Sequence, residues 1–474
     1  MRPRVDKESV SVHSGPMRAV APGLVLLSVL FAAGSAPTIT PGAAPSNIAQ
    51  AAATATATPR SWPTDHGDNG RTGFYPSGTL FRALNPAWAK GLDGAVYGSP
   101  IAFGGNVVVA TENNTVYEVN ATTGVTRWSR QLLPPAPTSS LACPGNISPS
   151  GITGSPAWDP VTNRIFVVTN SVNAQFGAHH EIFGLNATTG ATEVNRRIAV
   201  PGQAENAEQQ RGALAVAGGK VYIPFGGLAG DCGQYKGAVL SVKANGRPGS
   251  TAWVVPTSRE GGIWAPGGPV VNKDGSIFVA IGNGASTAGA YDGSDSVTRL
   301  SAALQRLDFF AASSWATDNA ADLDLGSMTP ALTANGYVLQ AGKSGTGYVL
   351  RTTHLGGIGG QVSSGPLCQA FGVSAVVGNT VYMPCTDGLS RVEVNAAGGF
   401  SRVWNIAGLT SSPVAGNGAL YTVSGSNLLA ISFSGTQIGS IALGSATTRF
   451  ATPALWGNMV FVGTTTGIVA ISVG

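Results

Sequence analysis

The sequence predicts an all-β fold, an eight-bladed β-propeller, and three observations carry that expectation. A Gly/Ser/Thr-Pro step followed by an apolar strand recurs at Gly98-Ser99-Pro100, Gly154-Ser155-Pro156, Gly268-Pro269, Thr329-Pro330, Ser412-Pro413 and Thr452-Pro453. Gly212-Ala213-Leu214 and Val373-Ser374-Ala375 stand in equivalent places. Starts spaced by roughly 40 to 60 residues mark units too small to bury their own apolar faces, so the units must stack on one another. Glycine is abundant, at 66 residues. No long segment carries helical apolar periodicity, as expected of short strands joined by tight turns.

Within the first unit the strand Asn106-Val107-Val108-Val109-Ala110 turns at Thr111-Glu112-Asn113-Asn114 and returns as Thr115-Val116-Tyr117-Glu118-Val119. A second turn, Ala121-Thr122-Thr123-Gly124, leads to Trp128. Asn, Thr and Gly supply what tight reversals need. The second unit restates the pattern with Ala187-Thr188-Thr189-Gly190, and Trp253, Trp315 and Trp404 fall where Trp128 falls in the first. These tryptophans read as dockers between blades. The same turns explain Asn120-Ala121-Thr122 and Asn186-Ala187-Thr188, which otherwise match the glycosylation sequon. The last unit, from Thr452-Pro453, stops after its second or third strand. The segment Asn85-Pro86-Ala87-Trp88-Ala89-Lys90 has the content of an outer strand, so an N-terminal strand is expected to complete the last blade and remove its open edge.

The N-terminus reads differently. Residues 1–36 carry Arg18, the apolar run Leu24 to Ala33 and the small residues Gly34-Ser35-Ala36, the layout of a secretory signal. Met17 offers a second start, and an uncleaved anchor is the alternative. Residues 37–60 are Ala/Thr/Pro-rich linker, which leaves 61–474 for the propeller. With the leader's charges set aside, the formal +4 falls to about +2, and this gives no footprint for nucleic acid. No apolar segment is long enough for a confident span, so no integral membrane domain is expected.

A secreted or extracytoplasmic location gives meaning to Cys143, Cys232, Cys368 and Cys385, an even set without CxxC spacing. Three pairings are possible. Cys368 precedes the strand at Val373–Val377 and Cys385 ends its return strand, which favours Cys368–Cys385 and, by elimination, Cys143–Cys232. Buried free thiols are the alternative.

The strand, turn, Asn-Ala-Thr-Thr-Gly and Trp pattern resembles the pyrroloquinoline quinone (PQQ) repeat of the eight-bladed quinoprotein alcohol dehydrogenases and their propeller relatives, over roughly residues 62–474. The repeat speaks for the fold and says little about chemistry. Gly261-Gly262-Ile263-Trp264 and Ile281-Gly282-Asn283-Gly284 are similar to the dehydrogenase segments in which a Trp forms the floor under the quinone and an Asn binds calcium. The resemblance thus implies cofactor binding for Trp264 and a metal ligand in Asn283. Asp322-Leu323-Asp324 resembles the stretch that holds the catalytic base, with Asp322 and Asp324 both open as the match, and Ala341-Gly342-Lys343 resembles the strand whose cation contacts the quinone. Gln175 stands where the family has a second, Glu, calcium ligand, and a neutral amide is a far weaker ligand for calcium. The family's vicinal Cys-Cys pair and a haem-binding CxxCH are absent.

Packing roles stand beside each of these. Trp264 suits a blade interface, Asn283 suits a φ > 0 turn, and the aspartates suit an ion pair with Lys343. Arg211, just before the third inner strand, can point into the channel toward an anion or pair with Asp231 or Glu208. Other chemistries are excluded by spacing: Gly336 is one residue too far from Lys343 for a phosphate loop, and His179 and His180 point to opposite faces of a strand. No nucleophile elbow or His-Glu-x-x-His helix occurs. The expected function is an exported scaffold that binds a small-molecule ligand or a protein partner through a degenerate quinone site. The alternative is a divergent PQQ-dependent alcohol or sugar dehydrogenase. PQQ and calcium are the cofactors the resemblance implies.

Overall fold

The computed structural model describes residues 59–448 and 450–474. The signal-peptide reading of 1–36, and all of the linker reading except Pro59 and Arg60, lie outside the described residues. Eight sheets of antiparallel strands follow one another around a ring, with inner strands starting at Ile101, Ala157, Ala215, Val270, Ala331, Ala375, Val414 and Ala454. The second strand of each blade is sandwiched between neighbouring blades. Asn106–Ala110, Ile277–Ile281 and Tyr337–Ala341 are accordingly buried at every position and read as continuous apolar runs rather than alternating ones. Outer strands such as Phe400–Ile406 alternate between exposed and half-buried.

The ring closes as the truncated last repeat requires. Leu84–Gly91 pairs antiparallel with Gly467–Val473 as the fourth strand of the eighth blade, and Trp88 lies 6.0 Å from Phe461 between ring centroids. The outer-strand tryptophans dock blade to blade. Trp88, Trp128 and Trp404 donate their indole N–H to the carbonyls of Ala121, Ala187 and Phe433 in the next blade. Their rings lie where a side chain on Gly124, Gly190 or Gly435 would be, so only glycine permits the contact. Asn120 and Asn186 accept backbone N–H groups of their own turns. Trp315 departs from the expectation: it opens the short helix Trp315–Ala320 instead of lying on an outer strand, because the fourth outer strand, Arg306–Ala311, ends before it. The disulfides are Cys143–Cys232 and Cys368–Cys385.

One segment has no counterpart in the repeats. Trp62 to Tyr75 runs along the inner strands of the ring. It exchanges backbone hydrogen bonds with Ala102 and gives carbonyls to Trp158, Val271, Val376 and Ala415, in the first, second, fourth, sixth and seventh blades. Asn69 and Arg71 bond the carbonyls of Val216 and Leu214 at the third blade, and Tyr75 receives the N–H of Gly457 at the eighth. This strap seals one end of the central channel. Its tight reversals require Gly67 and Gly73, at φ +76° and +60°, whose absent side chains leave room for Trp62 and His66.

Candidate functional site

The open end of the channel holds a cavity of about 260 Å³, at the lower edge of the usual range for small-ligand pockets. Its chemistry comes from three successive blades. Arg211 precedes the inner strand Ala215–Ala217, Trp264 lies between the third and fourth blades, Asn283 follows Ile277–Ile281, and Lys343 follows Tyr337–Ala341. Asp322 and Asp324 enter from the connection between the fourth and fifth blades.

Close backbone approach assembles these groups. A side chain on Gly282 would sit 2.5 Å from Asp324 Oδ1 and 3.0 Å from Trp264 Nε1, and one on Gly342 would strike the Asp324 carbonyl at 2.2 Å. With glycine at both places, Lys343 N–H reaches the Asp324 carbonyl at 2.9 Å and Asn283 N–H reaches Asp324 Oδ1 at 2.5 Å. The Lys343 ammonium then bridges Asp324 and Asp322, with Asp322 Oδ1 at 2.7 Å. Asp324 is buried and Asp322 is exposed. Burial raises the Asp324 carboxyl above its ordinary range, and Lys343 and the Asn283 N–H only partly offset this. For Lys343 burial works downward, but Asp324 and Asp322 outweigh it and hold the ammonium above its ordinary value.

Two cations lie near the Trp264 ring. The Arg211 guanidinium lies 4.9 Å from the ring centroid and the Lys343 ammonium 5.9 Å. Arg211 makes no ion pair among the described residues. Its Nε has no hydrogen-bond partner. Burial lowers its pKa, with Tyr235, Asp231 and Asp324 pulling the other way. Phe371 faces Trp264 at 6.4 Å.

A profile described as outer membrane protein assembly factor BamB matches residues 83–278, and the blades it spans belong to a closed ring of eight. The chain is an eight-bladed β-propeller. No curated protein matches the chain. Among solved structures the propeller is similar to a quinohemoprotein alcohol dehydrogenase from Comamonas testosteroni, at 14% identity, covering 87% of this chain and 80% of that one with a TM-score of 0.65. It is also similar to a europium-containing methanol dehydrogenase, at 13% identity over 87% and 98% of the two chains with a TM-score of 0.65. BamB from Moraxella catarrhalis aligns at 14% identity over 82% and 100% with a TM-score of 0.55. Likeness at such identities speaks for the fold.

Of the residues singled out from sequence, the propeller gathers Trp264, Asn283, Asp322, Asp324, Lys343 and Arg211 around one cavity. Gln175 is the exception. It stands at the exposed tip of the hairpin between Arg164–Asn173 and Gly177–Asn186, its N–H on Asn173 Oδ1, and it does not line the cavity. The expectation that Gln175 stands at the family's second calcium position beside Asn283 is thereby corrected: these strands are ten residues each, and Gln175 at their tip is not among the residues that line the cavity. Asn283 is not at positive φ, so a left-handed turn does not account for it. Asp318 is held by Ser314 Oγ at 2.6 Å on the short helix and stays out of the cavity.

The sequence reading missed the cavity's other wall. Asn146, Leu228, Ala229, Asp231 and Tyr235 line it, and Cys143–Cys232 ties the two loops that carry them. Tyr235 donates to Asp231 Oδ1 at 2.5 Å, and burial, then Asp231, push its phenol far above the ordinary value. The closeness of Cys143 to Asn146 and of Cys232 to Asp231 was the available signal.

Proposed function

We propose that the propeller is an extracytoplasmic ligand-binding or interaction scaffold whose channel mouth takes a planar, polyanionic aromatic molecule of the PQQ type. One observation carries this reading: Trp264 offers a ring for stacking while Arg211 and Lys343, both beside that ring, face the same cavity. A flat ligand stacked there would place carboxylates against two cations, and guanidinium in particular suits paired oxygens. Two disulfides and relatives of this fold support an extracytoplasmic setting. No helix among the described residues is long and apolar enough to cross a membrane.

Calcium fits these residues less well than the quinone does. It needs six to eight oxygens, and here Asn283 is joined only by two carboxylates already bound to an ammonium. Among the described residues, the one gathering of three potential metal-binding side chains at ligand distance is Cys368, Cys385 and Asp387, and both cysteines are in a disulfide. Lys343 supplies the positive charge instead.

A second reading, a dehydrogenase of alcohols or sugars, is favoured by Asp324. It is a buried carboxyl with a raised pKa beside the Trp264 platform, suited to take a proton from a hydroxyl. Asp324, and not the exposed Asp322, would be that base. Bound quinone would supply the two-electron acceptor. Tryptophan fluorescence with added PQQ in chelator, followed by dye reduction with alcohols and sugars, tests both. Quenching without dye reduction is expected. Dye reduction would make the protein a dehydrogenase, and absence of quenching would remove the quinone site altogether.

A further inference from the structure

Beyond Trp264 the channel continues into a second, deeper compartment of about 60 Å³ that ends on Asp65 of the strap. Asp65 is 1% exposed. Its Oδ2 lies 3.2 Å from His66 Nδ1, and His66 Nε2 lies 3.1 Å from the Pro413 carbonyl, while Asp65 Oδ1 has no partner. A fully buried carboxylate oxygen without a donor is costly, and Asp65 is among the residues that line the compartment. Arg211, with its unpartnered Nε, lines the same compartment next to Trp264. Between them stand the hydroxyls of Ser99, Thr153, Ser155 and Thr452.

We propose that this compartment is a binding site for a small neutral polyol, distinct from the stacking site at the mouth, with which it shares Trp264 and Arg211 as a common wall. The two ends of the compartment set the charge. A cation drawn to Asp65 would meet the Arg211 guanidinium, and an anion drawn to Arg211 would meet Asp65. A molecule that donates at one end and accepts at the other satisfies both, and vicinal hydroxyls do this. The hydroxyls of the wall are partly committed already: Thr153 Oγ donates to Glu112 at 3.1 Å, Ser155 Oγ accepts Ser99 N–H at 2.7 Å, and Thr452 Oγ donates to the Phe450 carbonyl at 3.2 Å. They offer remaining lone pairs to a ligand's O–H groups. The Trp264 ring gives its carbons an apolar face. Size points to a short molecule, since one water needs about 10–15 Å³ by this measure and the compartment therefore holds roughly four to six non-hydrogen atoms. Glycerol matches that count.

Saturation-transfer NMR of the intact protein in glycerol-free buffer, with glycerol, ammonium chloride and inorganic phosphate as separate probes, tests the assignment. Glycerol is expected to bind in the millimolar range, and Asp65→Asn to weaken it at least tenfold while circular dichroism stays unchanged. Thr452→Val, which keeps volume and removes one hydroxyl, is expected to weaken it about threefold and serves if Asp65→Asn does not fold. No glycerol binding by the wild type, undiminished binding by a folded Asp65→Asn or by Thr452→Val, or tighter binding of ammonium or phosphate than of glycerol would each overturn the proposal.

Discussion

At the mouth of the channel Asp324 meets Lys343 and Asp322 where solvent still reaches the ammonium. At the floor Asp65 meets His66 and Arg71 where it does not. Both ends place carboxylates beside cations in a ring of apolar strands. At the mouth the charges come from three blades, and Arg211 and Lys343 keep faces open to the cavity. At the floor they come from one strap, and Arg71 spends its donors on Thr64 Oγ, the Asp65 carbonyl and the Leu214 carbonyl, at 2.7, 3.1 and 3.0 Å. Burial pulls the Arg71 guanidinium down to about 10, with Asp65 and Asp68 pulling upward. At the mouth the cations face a cavity, and at the floor Arg71 is committed to the fold.

The largest expected effect therefore lies at the floor. Arg71→Ala strands the Thr64 hydroxyl and the Asp65 and Leu214 carbonyls it serves and is expected to destabilise the protein by about 3–5 kcal/mol, read from chemical denaturation. A loss under about 1 kcal/mol would mean that the strap does not hold the ring.

Next comes Glu112, behind the Thr153 wall of the deep compartment. Its Oε2 accepts from Gly151 N–H and Thr153, its Oε1 has no partner, and burial raises its pKa from 4.5 to about 7 against those bonds. The unfolded chain releases this proton first. Its contribution is thus complete below pH 4.5 and is lost as pH rises through about 7, at ~1.4 kcal/mol per pH unit and about 3 kcal/mol in all. Denaturation across pH 4 to 8 should show that decline, and Glu112→Gln should flatten it. An unchanged slope in the variant would place the titration elsewhere.

A smaller stability effect with a large binding effect is expected at the mouth. Gly282→Ala drives a methyl into Asp324 and Trp264, costing about 1–3 kcal/mol of overpacking and at least tenfold in affinity for PQQ. Full affinity in the folded variant would show that Trp264 and Asp324 do not share one ligand site.

The same contrast explains what the sequence disclosed. Repeats made the blades, the closing strand at Trp88 and the docking glycines legible, because each rule appears several times and one copy interprets another. Asn283 and Lys343 were legible because each follows a glycine at the end of a second strand, where a glycine marks a close approach, and Trp264 and the pair Asp322 and Asp324 were legible through the resemblance. The strap was not. It occurs once, and its Asp65, His66 and Arg71 read as ordinary loop polarity until the inner strands are seen around them. Gln175 failed for the opposite reason: counting along the chain assumes a constant hairpin length, and the second blade's hairpin is longer than its neighbour's. The wall of Asn146, Asp231 and Tyr235 depends on loops joined by a disulfide, whose folding no periodicity reports.

The central claim is that Arg211 and Lys343, and not a metal, supply the charge that holds a planar anion on Trp264. Calorimetric titration of PQQ into wild type and Lys343→Met, each in chelator and again in calcium, measures this directly. The account predicts binding by the wild type that is equal in the two buffers and at least tenfold weaker in Lys343→Met. Binding that appears only with calcium, or that Lys343→Met leaves intact, would contradict it.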